Sequence, residues 1–260
     1  MNLSVADVSS SRVLIATIGF RQVRVSRMGL LTASERQRLD EDGFLTLRNI
    51  VPPSRLTAMR KRLEALLAVT KQEHLGTLVV PGLLEEEVFD AAWLHSPFLE
   101  AVGQVLGEGF RLMGVALRGI RPGHGQQAMH IDWSDGMGGM PGVWYGCHAI
   151  CALVDFTQDN GATRVVPGSH RNPWMLKTRH DPRKQHPAQR QLIGAAGSVF
   201  VLNIHCGHSA VHNATNEPRL AIFTSFSRRD SPLLVVDPSP DPSPTVLARF
   251  DAEIQALLRG

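Results

Sequence analysis

Residues 197–219 read GSVFVLNIHCGHSAVHNATNEPR. Val199 to Leu202 is a short apolar, β-prone run that Gly197 opens. A turn around Cys206 and Gly207, followed by a return strand, brings one of three histidines, His205, His208 or His212, to the end of a sheet. Outward from here the same texture holds from Phe110 to Arg228: short β-rich runs bounded by Gly, Pro, Asn and Asp. The runs predict strands over 111–121, 127–132, 144–156, 163–166, 197–205, 208–212 and 218–227. Many short strands with regular turn signals indicate a sandwich or barrel.

Helical patterns lie before and after this block, without the strict alternation of a doubly wound sheet. Thr32 and Glu35 fit a capping box for a helix ending near Asp42, where Gly43 stops it, and Phe44 to Thr46 reads as a strand. Leu56, Met59, Leu63 and Leu66 form the apolar stripe of a helix over 54–69. A further helix is predicted over 84–106, interrupted near Pro97, and a last one over 244–258, capped by Ser243. No repeat or linker divides the chain, so residues 28–260 are expected to form one domain. Residues 1–27 are set apart as an Arg-rich N-terminal extension that suits a transit peptide, a stray strand or chain upstream of a start at Met28.

Composition narrows the function classes. The 260 residues are 43% hydrophobic and 20% charged, ordinary for a globular protein. A net charge of +3 without a reading motif gives no reason to expect nucleic acid, and no apolar run approaches a membrane span. Three cysteines, Cys147, Cys151 and Cys206, make no disulfide framework and point to a reducing, cytoplasmic setting. Two loops stand out as candidate lids: residues 134–142, SDGMGGMPG, and the basic stretch 171–191.

The chemistry concentrates in two segments. In Gln127-Ala128-Met129-His130-Ile131-Asp132-Trp133, strand alternation turns His130 and Asp132 to one face and Gln127 to the other. An imidazole, a carboxylate and one histidine of 205–212 make a 2-His-1-carboxylate set suited to Fe(II), with positions left open. Arg219 then fits a buried dicarboxylate co-substrate such as 2-oxoglutarate, because a buried carboxylate needs a partner and guanidinium offers two donors in one plane. The ion's two positive charges and the one on Arg219 balance the single charge of Asp132 and the two of the dianion. A zinc site on Cys147 and Cys151 is the competing metal reading, although their spacing also suits two core cysteines.

Four ordered elements carry a resemblance: L-T-x-x-E-R-x-x-L-D-E-D-G-F from Leu31, Q-x-x-H-x-D-W from Gln127, D-N-G-A-T-R-V-V-P-G-S-H from Asp159, and G-x-V-x(8)-H-x(4)-N-x(4)-P-R from Gly197. Together they resemble the phytanoyl-CoA dioxygenase family of Fe(II)/2-oxoglutarate enzymes. The resemblance implies a double-stranded β-helix, a cupin-like jelly roll with helices outside. It implies His130, Asp132 and His208 as metal ligands, Arg219 as the grip on 2-oxoglutarate, and Gln127 and Thr163 as further co-substrate contacts. Ala210 departs from the pattern, since relatives often carry a small hydroxyl there. With Fe(II), 2-oxoglutarate and O₂, the implied activity is oxidation, most simply hydroxylation, of an unactivated carbon with release of succinate and CO₂. Asp132 argues against halogenation, while desaturation, epimerisation and cyclisation stay open. The rival from another class is a non-catalytic, cupin-like metal or small-molecule binder. The expected partner is a small substrate. The basic loop suits an acidic, CoA-linked or carrier-linked one, and Trp133, Trp144, Tyr145, Met137 and Met140 suit an apolar one.

Overall fold

The computed structural model describes residues 30–69, 73–74, 76–132, 142–176, 184–231 and 242–259. The N-terminal extension, Trp133, Met137 and Met140 therefore lie outside the described residues, as do nearly all of the loop 134–142 and residues 177–183 of the basic loop.

Helix α1 (Ala33–Asp42) begins with the capping box read from the sequence. The Glu35 amide donates to the Thr32 hydroxyl at 3.2 Å, and the Glu35 carboxylate accepts from the Thr32 amide at 2.7 Å. Gly43, at φ 82°, ends the helix in a left-handed turn that costs a residue without Cβ little. Strand β1 (Phe44–Leu47) follows, then α2 (Pro53–Val69), which buries Leu56, Met59 and Leu63. Short strands β2 (Glu73–His74) and β3 (Thr77–Val80) were not expected from the sequence.

The helix predicted over 84–106 breaks into two 3-10 segments, Leu83–Glu85 and Glu87–Ala92, and only then α3 (Ser96–Leu106). Pro97 opens this helix and does not interrupt one, because the first turn needs no amide donor there. The last helix is likewise two, α4 (Pro244–Leu247) and α5 (Ala252–Leu258), the second capped by Asp251, whose side chain accepts from the Ile254 amide at 3.0 Å. Ser243 caps α4 as predicted.

The long strands are β4 (Phe110–Ile120), β5 (Gly146–Ala152), β8 (Val199–Asn203) and β10 (Arg219–Arg228), with short β6 (Arg164–Val165), β7 (Arg190–Gln191) and β9 (His208–Ser209) between them. They form an antiparallel seven-stranded sheet, ordered β1-β8-β5-β10-β4-β3-β2, and a three-stranded sheet, ordered β7-β6-β9. Among the described residues the ladders do not run continuously round a closed barrel. Isolated bridges extend the pairing at Phe156 with Gly194, Asn160 with Asn213 and His130 with His208. With helices laid outside, this is the jelly roll expected from the sequence.

Alternation decides what each face does. Cys147, Ala149, Cys151, Val199 and Val201 join the core beneath helices α2, α3 and α5. Ile150, Ala152, Phe200 and Leu202 turn the other way and meet Val165 of the smaller sheet and Leu192, which follows β7. All five residues of β8 are buried because both of its faces are covered.

One buried acid under this sheet should leave a pH signature. Asp90 is fully buried, with its carboxylate 3.4 Å from the Arg249 guanidinium. Burial pushes its carboxyl up to about 7 against the pull of Arg249. The folded chain therefore binds this proton more tightly than the unfolded chain. The stabilisation is complete below the ordinary carboxylate range and is lost as pH rises toward 7. Urea melts at pH 5 and pH 8 should show a smaller stability difference for Asp90→Asn than for the natural chain.

Candidate metal centre

His130 and His208 are brought together by their own backbones. Each amide donates to the other's carbonyl, at 3.0 Å from His130 and 2.8 Å from His208. The rings lie 4.6 Å apart between centroids. Asp132 follows two residues on, its amide bonded to the Ile204 carbonyl at 3.1 Å. One ligand atom from each of His130, Asp132 and His208 falls within 4.8 Å of the others. Asp132 Oδ1 is 3.6 Å from His130 Nε2, and Oδ2 is 3.5 Å from His208 Nε2.

The ring orientations suit metal binding. His130 Nδ1 lies 2.8 Å from the Ala128 carbonyl, and His208 Nδ1 lies 2.9 Å from the Cys206 carbonyl. A carbonyl only accepts, so each Nδ1 carries a proton, and each Nε2 faces Asp132, able to give its lone pair to a metal ion once any proton there is displaced. This is the outer-shell arrangement that fixes metal-ligating histidines.

The electrostatics agree. Burial works to raise the Asp132 carboxyl, but hydrogen bonds from His148 and His208 prevail and hold it well below the usual carboxylate range. Burial and the neighbouring His208 lower His130. Burial also works against a charged His208, and Asp132 outweighs it and raises that ring. A divalent ion would replace the proton these two groups attract.

His148 is the neighbour that sequence reasoning missed. It lies on β5, in register with Ser225 of β10. Its Nε2 is 3.1 Å from Asp132 Oδ2, and its Nδ1 is 3.1 Å from the Ser225 hydroxyl. A carboxylate only accepts, so His148 Nε2–H donates to Asp132 and Ser225 donates to Nδ1. Only the pairing of β5 with β10 could have revealed this chain.

Gln127, His130, Asp132, Thr163, His208 and Arg219 all line one cavity of about 380 Å³. The alternation that turned Gln127 away is broken here. Between Gln127 and His130 the bonded partner shifts from Ala210 to His208, and by Asp132 it is Ile204, so residues 127–132 do not form a regular strand. The Gln127 side chain accepts from the Ala210 amide at 3.1 Å. Arg164 braces this bend from behind, buried, with Nη2 bonded to the Gln127 carbonyl at 3.1 Å and Nε to the Ser209 hydroxyl at 2.6 Å.

Arg219 opens β10 and is 2% exposed. Its guanidinium lies 4.8 Å over the Phe156 ring, while Nε and Nη1 have no hydrogen-bond partner among the described residues. Burial alone pulls its pKa down to about 10. A buried cation with two unmatched donors facing a cavity is a ready receptor for a carboxylate.

The other candidates lie elsewhere. His205 Nε2 accepts from the Tyr145 amide at 3.1 Å, and its ring packs against Trp144 at 5.1 Å. His212 is exposed. Trp144 and Tyr145 do not line the cavity, as Trp144 packs on His170 and Tyr145 on Ile204. Cys147, Cys151 and Cys206 are free and buried, and burial raises all three thiols, Cys151 to about 12 and Cys206 to about 11. Such thiols are poor ligands, and the zinc reading finds no cluster around them among the described residues. The basic loop is anchored at both described ends, by a 3-10 turn at Pro173–Leu176 and by β7. His186 ties them, with Nε2 3.0 Å from the Met175 carbonyl.

A family model described as phytanoyl-CoA dioxygenase (PhyH) matches residues 39–221, more than half of the chain. The multifunctional dioxygenase ausE of Aspergillus calidoustus is 25% identical over 214 residues, covering 73% of this chain and 71% of that protein. The ectoine dioxygenase of Nocardia farcinica is 25% identical over 261 residues, covering 86% and 87%. Among solved structures, HygX from Streptomyces hygroscopicus with nickel and 2-oxoglutarate bound superposes with a TM-score of 0.62 at 19% identity, over 77% of this chain and 88% of that one. EctD from S. alaskensis with bound Fe gives 0.62 at 19% identity, over 78% of each chain. At that identity the structural likeness speaks for the fold.

If His148 holds Asp132 in its ligating pose, His148→Phe should weaken Co(II) binding about 10- to 100-fold. Competition against a chromogenic chelator measures this, and near-ultraviolet circular dichroism should show the fold retained.

Proposed function

The chain belongs to the phytanoyl-CoA dioxygenase family, and from that premise we infer that His130, Asp132 and His208 hold the iron while Arg219 receives the far carboxylate of 2-oxoglutarate. The enzyme is a non-haem iron, 2-oxoglutarate-dependent dioxygenase, with Fe(II) as cofactor and 2-oxoglutarate and O₂ as co-substrates. The observation that carries the residue assignment is the three ligand atoms within 4.8 Å of one another, in the same cavity as a buried guanidinium with unmatched donors.

The donor set fits the metal. Two imidazole nitrogens and one carboxylate oxygen make the facial arrangement suited to Fe(II), with positions left for other ligands. Bound iron supplies the place where the keto acid chelates and O₂ is reduced. The protein's own groups position and exclude. Asp132 and the two Nε2 atoms keep one side of the ion, and His148 steadies the carboxylate from behind. Arg219 orients the co-substrate along the cavity, with Gln127 and Thr163 beside it. The lining is largely apolar, with Ile120, Ile150 and Phe223 among its walls, and keeps water from the reacting carbon.

The net reaction we propose is hydroxylation of a small organic substrate. 2-Oxoglutarate, O₂ and a C–H bond give succinate, CO₂ and C–OH, with one oxygen atom of O₂ ending in the new carboxylate of succinate and the other in the alcohol.

Two variants test the reading. Asp132→Ala should retain less than about a tenth of the iron bound by the natural chain, by metal analysis after anaerobic loading and desalting. Arg219→Ala should raise the 2-oxoglutarate dissociation constant about 10- to 100-fold while metal content stays stoichiometric. Titration of the Fe(II) protein under argon, followed by its visible charge-transfer absorption, reads that constant. Folded, iron-loaded natural protein that shows no such absorption and forms no succinate with O₂ would instead be a metal-binding jelly roll without this activity.

A further inference from the structure

Histidines aside, three ionisable side chains among the described residues line the cavity: Asp132, Arg219 and Arg118. The first two are accounted for by the proposed metal and co-substrate. Arg118 is left over. It sits on β4, in register with Ala221 of β10 on one side and Val79 of β3 on the other. Gly114, Ala116, Arg118 and Ile120 share the cavity face of this strand, while Val115 and Leu117 point into the core under the helices.

Arg118 divides the cavity. On the β10 side lie Arg219 and the metal ligands. On the β3 side the walls are Thr77, Val79, Pro81 and Gly82, which carry no charge. The Arg118 side chain is exposed to the cavity mouth, and it makes no hydrogen bond or ion pair with any described residue. With Arg219 it forms a diagonal pair of cations on adjacent strands, since Arg219 stands opposite Ile120 and Ala221 opposite Arg118. Two like charges on one sheet face repel unless an anion answers each.

Iron, Asp132, Arg219 and the 2-oxoglutarate dianion sum to neutrality. Arg118 adds a further positive charge, open to solvent, beside walls that are mostly apolar, an arrangement that attracts a further anion. We propose that Arg118 is a specificity-determining residue: it binds a carboxylate or phosphate of the prime substrate, whose apolar body lies along Val79 and Pro81. The proposal rests on the metal and co-substrate assignment above, and it adds that the oxidised molecule is an anion.

Three probes of equal chain length test this: hexanoate, hexyl phosphate and hexanamide. Each is titrated calorimetrically into the Fe(II) protein saturated with 2-oxoglutarate under argon. At least one anion should bind about tenfold or more tightly than the amide. Which of them does so tells a carboxylate from a phosphate site. Arg118→Gln should abolish that preference, and Arg118→Lys should restore part of it, as a point charge replaces a planar fork. Equal binding of all three probes, no binding of either anion at millimolar concentration, or an intact preference in Arg118→Gln would overturn the proposal. So would a tenfold loss of 2-oxoglutarate affinity in Arg118→Gln, which would give Arg118 to the co-substrate. A natural chain that binds no 2-oxoglutarate refutes the activity instead, and the three probes can still be ranked on that protein.

Discussion

Three imidazoles converge on the Asp132 carboxylate, and the rest of the site depends on that convergence. His148 approaches to 3.1 Å, His208 to 3.5 Å and His130 to 3.6 Å. None of the three could do so alone. His130 and His208 are locked by reciprocal backbone bonds, and His148 arrives from the opposite sheet through the pairing of β5 with β10. The carboxylate is thus held where two layers meet, which is where a jelly roll can offer side chains from both.

The sequence elements outside the ligands act as braces for this seam. In the segment ending P-G-S-H, the Ser169 hydroxyl donates to the Val166 carbonyl at 2.6 Å and accepts from the Gly207 amide at 2.8 Å. That fixes the turn immediately before His208. His170, the last residue of the segment, reaches back to the Asp40 carbonyl at 3.1 Å and ties α1 to the same turn. Asn213 does the corresponding work before Arg219. Its amide donates to the carbonyls of Ile120 at 3.1 Å and Glu217 at 2.8 Å, and its oxygen accepts from the Thr215 amide at 3.0 Å. Buried polar groups paired this fully favour one backbone path over its neighbours.

Charge placement then follows from burial. Arg164 and Arg219 are both buried guanidiniums, yet they differ in kind. Arg164 spends its donors on neutral oxygens of the protein, including the Ser209 hydroxyl and the Gln127 carbonyl. Arg219 keeps Nε and Nη1 unmatched and faces the cavity. A protein stabilised only by its own contacts has little reason to bury the second kind, since an unpaired buried cation is costly. A buried guanidinium of this second kind is what the proposed co-substrate carboxylate would pair with.

What was legible in the sequence is what local rules govern. Short β-rich runs bounded by turn residues marked most strands, the Thr32–Glu35 box and Gly43 bounded the first helix, and the ordered motifs singled out His130, Asp132, His208, Arg219, Gln127 and Thr163, all of which line one cavity. Ambiguous runs failed for local reasons too: Leu84 to Leu106 is apolar enough for a helix but folds partly as 3-10 turns, with Pro97 starting the true helix. Tertiary structure alone decided which distant side chains meet. His148 looked unremarkable until strand register set it against Asp132 and Ser225, and Gln127 faced the wrong way until the irregular pairing of 127–132 turned it inward. The reason is physical: side-chain alternation and capping depend on residues a few positions apart, whereas register and strand bending depend on hydrogen bonds between segments some eighty residues apart, such as that between Gln127 and Ala210.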